Sequence, residues 1–458
     1  MKAQILEYWD LVRSSFWFLP VLMVCATVAM AFGTIALEVP TQEWLRERWD
    51  WTFGGGAEGA SAVLATIAGS MITIAGVVFS MTLVALSLTS SQFGPRMLRN
   101  FMRDTTTQLV LGIFVSTFLY CLIVLRTLRR TEEMVFVPQL SVSFAVLLAV
   151  LSVGVLIFFI HHVAVSIQAN EIVARVSVDL LQGIDRLFPA EIGRGCQDVE
   201  CPPPDDEFLE RLEAEAGTVP SARDGYVRFI DGDALMALAV AQEVVLRLER
   251  KPGHYVVAGH PLVIVWPGDR IDDALIEGIQ LAFALGAQRT LGQDIEFAID
   301  QLVEIALRAL SPGLNDPFTA IVCLDHLSSA LCRLAELEPA SPYRHDAEDR
   351  LRVIAPPVSF PGIVDAALNQ IRQDGRSNVA VTIRLLETIA VVARSTRREE
   401  DRVSLLRHAE MVARGAPEAL SEGEDRRQVE ERYQRALRLL AEPIAESVAE
   451  PTSSQDAG

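Results

Sequence analysis

The chain reads as a polytopic α-helical membrane domain with four transmembrane helices, followed by a soluble α+β domain that combines a small β-barrel-like module with a helical C-terminal part. Three observations predict this. Residues 60–89 run for about thirty positions without one ionisable side chain, longer than the ~20 residues that cross a bilayer at 1.5 Å per residue. Three further apolar runs, 16–37, 109–125 and 140–160, approach or reach spanning length. Finally, the first 165 residues hold ten of the 40 basic and ten of the 59 acidic residues, so the whole formal charge of −19 belongs to residues 166–458.

The first run leaves two readings open. Lys2 and Arg13 precede an apolar stretch containing Ala29-Met30-Ala31, the pattern of a cleaved signal peptide, but the stretch continues past that point and more spans come after it. Four spans place both termini on one side. Lys2, Arg13, Arg96, Arg99 and Arg103 then face Arg46, Arg48, Arg126, Arg129 and Arg130 across the membrane, a balance that Arg175 tips toward a cytoplasmic N-terminus. The stronger reason for a cytoplasmic C-terminal domain is its size, with no targeting feature of its own.

The second run carries the most specific pattern. Ala62, Ala65, Gly69, Thr73, Gly76 and Ser80 recur three or four apart and share one helical face. Small residues let helices approach closely, and hydroxyls add a thin polar track, so the face suits either another helix or a pore. It continues through Ser87, Ser90, Ser91 and Gln92 to a break at Gly94-Pro95. The spans contain no acidic or basic residue, which argues against a coupled transporter with a mid-membrane carboxylate.

Beyond residue 160 the helical periodicity continues through Val165, Ile172, Val176, Leu180, Ile184 and Leu187, which predicts an amphipathic connecting helix over 166–192 that extends the fourth span. His161 and His162 are adjacent, point to different faces and cannot form a two-histidine metal site on one helical face. A linker over 193–218, with Cys196 and the prolines 202–204, precedes residues 219–267. There, alternation at 225–230 and valine-rich runs at 244–248 and 262–265 flank a short helix at 231–242. The turns around Gly253-His254-Tyr255-Val256 and Gly259-His260-Pro261-Leu262 resemble those of barrel-sandwich domains related to biotinyl carriers, although no lysine occupies a carrier-type hairpin tip.

Residues 268–441 read as helices at 272–285, 294–310, 317–334, 362–374, 378–394, 400–414 and 426–440, and 442–458 as a disordered tail. Two features stand out. At the corner Ser311-Pro312-Gly313-Leu314-Asn315-Asp316-Pro317, Ser311 must leave helical geometry before proline, and Asp316 is placed to cap a helix starting at Pro317. A tight structural joint and a ligand-binding loop both fit. The row Glu296, Asp300, Glu304 and Arg308 at spacing four fits a solvated helix face or a cation site. The remaining cysteines, Cys25, Cys121, Cys201, Cys323 and Cys332, lack Cys-x-x-Cys spacing and read as reduced thiols. Only an inverted topology would favour a Cys196–Cys201 disulfide.

Residues 80–96, with Ser87, Ser90, Ser91, Gln92, Gly94, Pro95 and Arg96, together with Gln288-Arg289-Thr290, Asp294 and the corner 310–320, resemble the domain-of-unknown-function-2254 family of bacterial predicted membrane proteins. The resemblance covers about residues 16–414. It implies an inner-membrane location and the layout of four spans plus a domain, and it supplies no activity, substrate or catalytic residue.

Function therefore rests on the residues. No Gly-x-Ser-x-Gly, Walker loop, dinucleotide glycine fingerprint or His-Glu-x-x-His occurs, so enzymatic chemistry and a cofactor are not expected. The acidic charge disfavours nucleic acid. The residues favour a homo-oligomeric channel or conduit for ions or small solutes. In it Ala65, Gly69, Thr73, Gly76, Ser80, Ser87 and Ser91 line the pore or pack helices, Gly94 and Pro95 turn the chain away, and Arg96, Arg99 and Arg103 stand at the mouth. A ring of these arginines favours anions, and their alternative role is anchoring to lipid headgroups. The other classes left open are a non-transporting scaffold or sensor and an unrecognised membrane enzyme. Ser311, Pro312, Asn315, Asp316 and Pro317 are the candidate positions in the cytoplasmic domain.

Overall fold

The computed structural model describes residues 16–48, 56–94, 104–131, 134–187, 204, 206–338, 341–356 and 358–444. The chain divides into two compact units, Gln4–Glu171 and Ile172–Gly458.

The first unit is built from α1 (Phe18–Arg48), α2 (Ala57–Phe93), α3 (Thr105–Thr127), a two-stranded hairpin of β1 (Arg129–Thr131) and β2 (Met134–Phe136), and α4 (Gln139–Ser166). Its helices carry long apolar stretches, and the helical ladder pairs their interior backbone amides internally, as lipid requires. At 37 residues α2 is about 55 Å long, well beyond the ~30 Å of a hydrocarbon core. Helix α3 is the hub and packs against α1, α2 and α4. Asp104 starts it by accepting from the amides of Thr106 and Thr107. One packing cluster joins Leu64, Ala68, Tyr120 and Val124 with Val142 and Ala145, and a second joins Met71, Ala75, Val78, Phe114 and Phe159. The buried Tyr120 hydroxyl donates to the Ser141 carbonyl at 3.3 Å and lies 3.1 Å from the Thr34 hydroxyl, so its polar end is satisfied inside the apolar bundle.

The apolar helix α4 and the amphipathic helix after it are not continuous. Helix α4 stops at Ser166, the Gln168 amide bonds to the Val165 carbonyl, and α5 (Ala169–Leu187) begins after the two intervening residues. The Ser166 hydroxyl donates back to the Val163 carbonyl, competing with the helical ladder in the way serine does near helix ends. Of the expected apolar stripe, Val176, Leu180 and Ile184 are buried, while Val173 is buried in place of Ile172, which is half-buried.

In the second unit, part of the stretch read as linker is helical: α6 (Asp206–Glu215) buries Leu212 and sets Phe208 edge-on to Trp266, while Arg211 lies over the same indole. The mixed region contains β3 (Gly217–Pro220), β4 (Gly225–Ile230), α7 (Gly232–Ala241), β5 (Val245–Leu248), β6 (Tyr255–Val256), β7 (Pro261–Trp266), α8 (Asp273–Ala282) and β8 (Phe283–Gly286). No closed barrel forms among the described residues. The strands make two separate sheets, one ordered β3-β7-β5-β10-β9 and one ordered β6-β4-β8, and the first borrows β9 (Tyr343–His345) and β10 (Leu351–Ile354) from far along the chain. The β10–β5 pair is parallel, Val353 opposite Leu246, and a parallel neighbour requires a long crossover rather than a hairpin. Alternating burial also converts the end of an expected helix into β8, where Phe283 and Leu285 face the core against β4. Tertiary pairing overrides local helical preference there.

The remainder is helical: α9 (Ile295–Leu310), α10 (Pro317–Glu336), α11 (Phe360–Gly375), α12 (Val379–Ser395), α13 (Glu399–Ala419) and α14 (Gly423–Ala441). Side-chain caps start most of them: Asp294 for α9, Asp316 for α10, Ser359 for α11 and Asn378 for α12. Among the described residues, five helices are long and apolar enough to cross a membrane by length and composition, namely α1 to α4 and α10. Half of the apolar window of α10 is buried against its neighbours in the second unit.

Within the first unit the close helix approach lies at Gly112. A Cβ there would come 2.5 Å from the Met23 sulfur and 3.4 Å from the Pro20 Cα on α1, whereas one at Gly154 on α4 meets nothing within 4 Å. Gly112→Leu is expected to lower the stability of the protein in detergent by about 2 kcal/mol through overpacking, and Gly154→Leu to leave it unchanged. Equal thermal midpoints for the two variants would contradict this packing.

Candidate functional site

The α2 face singled out by sequence is uncovered among the described residues. Ala60, Leu64, Ala68, Met71, Ala75, Val78, Thr82 and Ala85 form the buried side of the helix. On the other side Ala62, Ala65, Gly69, Thr73, Gly76, Ser80, Ser87 and Ser91 are all exposed. A Cβ added at Gly69 or Gly76 meets nothing within 4 Å, in contrast to Gly112. Two glycines on one helical face thus keep α2 thin along a stripe that no other described element covers. Two hydroxyls on this stripe fold back onto their own helix: Thr73 donates to the Gly69 carbonyl at 2.8 Å and Ser91 to the Leu88 carbonyl at 2.9 Å. The stripe therefore presents hydroxyl oxygens with spare acceptor capacity, no charge, and little bulk.

The α2 helix ends at Gly94, whose φ of 105° suits glycine and whose amide bonds to the Ser90 carbonyl. Pro95, Arg96, Arg99 and Arg103 lie outside the described residues. Immediately after them a polar latch joins two helices of the first unit. Asp104 Oδ2 sits 2.8 Å from His162 Nε2 on α4, while the same carboxylate accepts from the Thr107 hydroxyl at 2.6 Å, and the His162 ring stacks on Phe158. Sequence reading missed this pair because its members stand 58 positions apart. The available signal was a lone aspartate preceding an apolar run and a histidine closing another.

In the second unit the corner is a compact joint. The Asp316 amide bonds to the Ala309 carbonyl, Asn315 adopts φ 48°, and the Asp316 carboxylate accepts from the amides of Phe318 and Thr319 at 3.1 and 3.2 Å and from the Thr319 hydroxyl. Ser311 donates to the Arg308 carbonyl, and the turn through Pro312 leads directly into Pro317, the first residue of α10. With both carboxylate oxygens engaged in the cap, Asp316 has little left for a ligand. Phe318 nevertheless stands 78% exposed and Leu314 50%. Behind the joint, burial and then the Asp316 charge push the Cys323 thiol up, which favours its neutral form.

The second family-like segment forms a charged knot. Arg289 clamps Asp294 with two hydrogen bonds of 2.7 and 2.9 Å and reaches Asp300 at 2.6 Å, with its guanidinium over the Phe297 ring. Burial opposes the guanidinium charge, but these carboxylates outweigh it and hold the pKa above the ordinary arginine value. Asp294 also caps α9 at the Phe297 amide, and a Cβ at Gly253 (φ 90°) would clash with its carboxylate, so only glycine admits this approach. Gln293 brackets Ile230, accepting from its amide and donating to its carbonyl. Lys251 pairs with Glu296 at 2.6 Å and Arg308 with Glu304 at 3.5 Å, so the row 296, 300, 304 and 308 is a set of ion pairs. Among the described residues no group of three His, Cys, Asp or Glu could hold a metal ion.

A family model for predicted membrane proteins, DUF2254, matches residues 13–391. The chain belongs to this family. Similar proteins include uncharacterized proteins of Mycobacterium bovis and of two Mycobacterium tuberculosis strains, each 32% identical over 444 residues, covering 95% of this chain and 82% of the relative. No solved structure matches. Family membership accounts for the apolar first unit, and the DUF2254 model extends through the corner and the Arg289 knot in the second.

The two acidic caps differ in what their loss exposes. Asp294→Ala leaves Arg289 half-compensated in a largely enclosed site and is expected to cost about 3 kcal/mol. Asp316→Ala removes only cap bonds, about 1 kcal/mol, and Asp316→Asn costs less. Chemical denaturation of the three variants checks the order, and an Asp316→Ala loss as large as that of Asp294→Ala would contradict it.

Proposed function

We propose that this DUF2254 protein is a homo-oligomeric channel or conduit of the bacterial inner membrane, in which α2 of each subunit faces the assembly axis and the C-terminal unit regulates passage from the cytoplasm. The observation that carries the reading is the uncovered α2 stripe. In lipid, apolar surface gains little by leaving hydrocarbon, so a stripe of Gly, Ala and Ser is favourable chiefly where another backbone approaches or where a narrow pore needs small, weakly polar walls. A second copy of the same helix supplies both. Four spans, α1 to α4, with both termini in the cytoplasm complete the scheme. Helix α10, with Asp325, His326 and Arg333 along it, is read as a core helix of the C-terminal unit. The same layout places Gly94 and Pro95 where each chain turns away from the axis, with Arg96, Arg99 and Arg103 at the cytoplasmic mouth. There is no catalytic role in this scheme.

An apolar constriction at Gly69 to Gly76 closes by dewetting at rest. Gly76→Ser is therefore expected to raise resting conductance several-fold in single-channel recordings of reconstituted protein. Gly76→Leu is expected to shift the protein to smaller species in size analysis while each subunit remains folded, because a Cβ at that position meets nothing within 4 Å. Silent bilayers for parent and Gly76→Ser alike, under tension and across voltage, would overturn the conduit. An unchanged assembly for Gly76→Leu would overturn the α2 interface.

A further inference from the structure

The second unit balances much of its acidity with paired arginines. Arg289, Arg352, Arg398 and Arg432 each meet a carboxylate. Arg372 and Arg376 do not. Among the described residues neither makes an ion pair, and the Arg372 Nε is buried with no hydrogen-bond partner. Both line a cavity of about 400 Å³ enclosed by the end of α11, the start of α12 and the last turns of α13, a volume within the range of small-molecule sites. A buried guanidinium nitrogen without a partner is costly, and it belongs to a side chain that lines this cavity.

Two further features belong to the same cavity. Its apolar wall comes from Leu385, Val412 and Ala416, all buried. Gly415 also lines it, inside a helix, and a Cβ added there would meet nothing within 4 Å. Glycine inside a helix is destabilising relative to alanine, and no neighbouring described atom requires it at this position. Its effect is to keep the cavity open. The start of the 17-residue α12, whose Asn378 side chain caps only the Val381 amide, adds the positive end of a helix dipole beside Ser377.

We propose that this cavity binds a small organic anion, a phosphate or carboxylate carried on an apolar group. The anionic oxygens are held by Arg372 and Arg376 and the apolar part rests on Leu385, Val412 and Ala416. Glu418 on the rim repels excess negative charge and limits the ligand to one acidic group. Phosphate of this kind comes from a soluble metabolite or from the headgroup of an anionic phospholipid. The site is independent of whether α2 forms a conduit.

The test is titration calorimetry on the full chain in an uncharged detergent, with inorganic phosphate, phenyl phosphate and dihexanoyl phosphatidic acid as probes. Phenyl phosphate is expected to bind more tightly than inorganic phosphate. Arg372→Ala and Arg376→Ala should each weaken it at least about tenfold, as loss of a charge-assisted hydrogen bond does. Glu418→Gln should tighten it. Gly415→Leu, which fills the cavity and removes a helix glycine, should abolish binding while the thermal midpoint stays level or rises. Tighter binding of dihexanoyl phosphatidic acid than of phenyl phosphate, with the same arginine dependence, assigns the site to a lipid headgroup, and the reverse assigns it to a soluble anion. No binding of any probe, or binding unchanged by Gly415→Leu, overturns the proposal.

Discussion

Hydrocarbon is as apolar as leucine, so a membrane helix is held by close van der Waals fit and satisfied polar groups rather than by escape from water. That constraint organises the first unit. Around α3 it is met inside the chain, by the Gly112 approach to Met23 and Pro20 and by the satisfied hydroxyl of Tyr120. Along α2 it is met on one side only. The buried side interlocks with its neighbours through Ala68, Met71 and Ala75, while the opposite stripe of Gly69, Thr73, Gly76 and Ser80 stays exposed among the described residues. The unequal treatment of chemically similar glycines in one bundle gives the assembly proposal its physical content.

The second unit solves a different problem, namely holding many carboxylates near one another. It does so by assigning them structural duties. Asp294 caps a helix and clamps Arg289, Asp346 accepts from Arg352 and Arg350, and Asp365 holds His408 and Arg407. Such networks are worth more than isolated surface pairs because removing one member strands the others. Arg372 and Arg376 lie outside these networks and share one cavity.

Much of this was legible in the sequence. Run length identified the apolar helices α1 to α4, because lipid imposes length and composition directly. The helix starts at Asp294, Asp316 and Asn378 were legible because capping is a local interaction within three residues. What escaped were long-range choices. The break at Ile167 carries no Gly or Pro to mark it, and the insertion of β10 beside β5 joins residues more than a hundred positions apart, so turn residues alone pointed wrongly to a barrel. On α2 the stripe was legible. That no other described element covers it required the packed structure. Pro95, Arg96, Arg99 and Arg103 lie outside the described residues, so the mouth rests on sequence alone.

The central claim is that the α2 stripe meets its counterpart in a neighbouring subunit. Single cysteines at Gly69 and Gly76, and at Val150 on the exposed side of α4, introduced after replacing the six native cysteines by serine, test it by disulfide crosslinking in native membranes. The account predicts covalent dimers from Gly69→Cys and Gly76→Cys and monomers from Val150→Cys. Crosslinking at Val150 with none at Gly69 or Gly76 would contradict it.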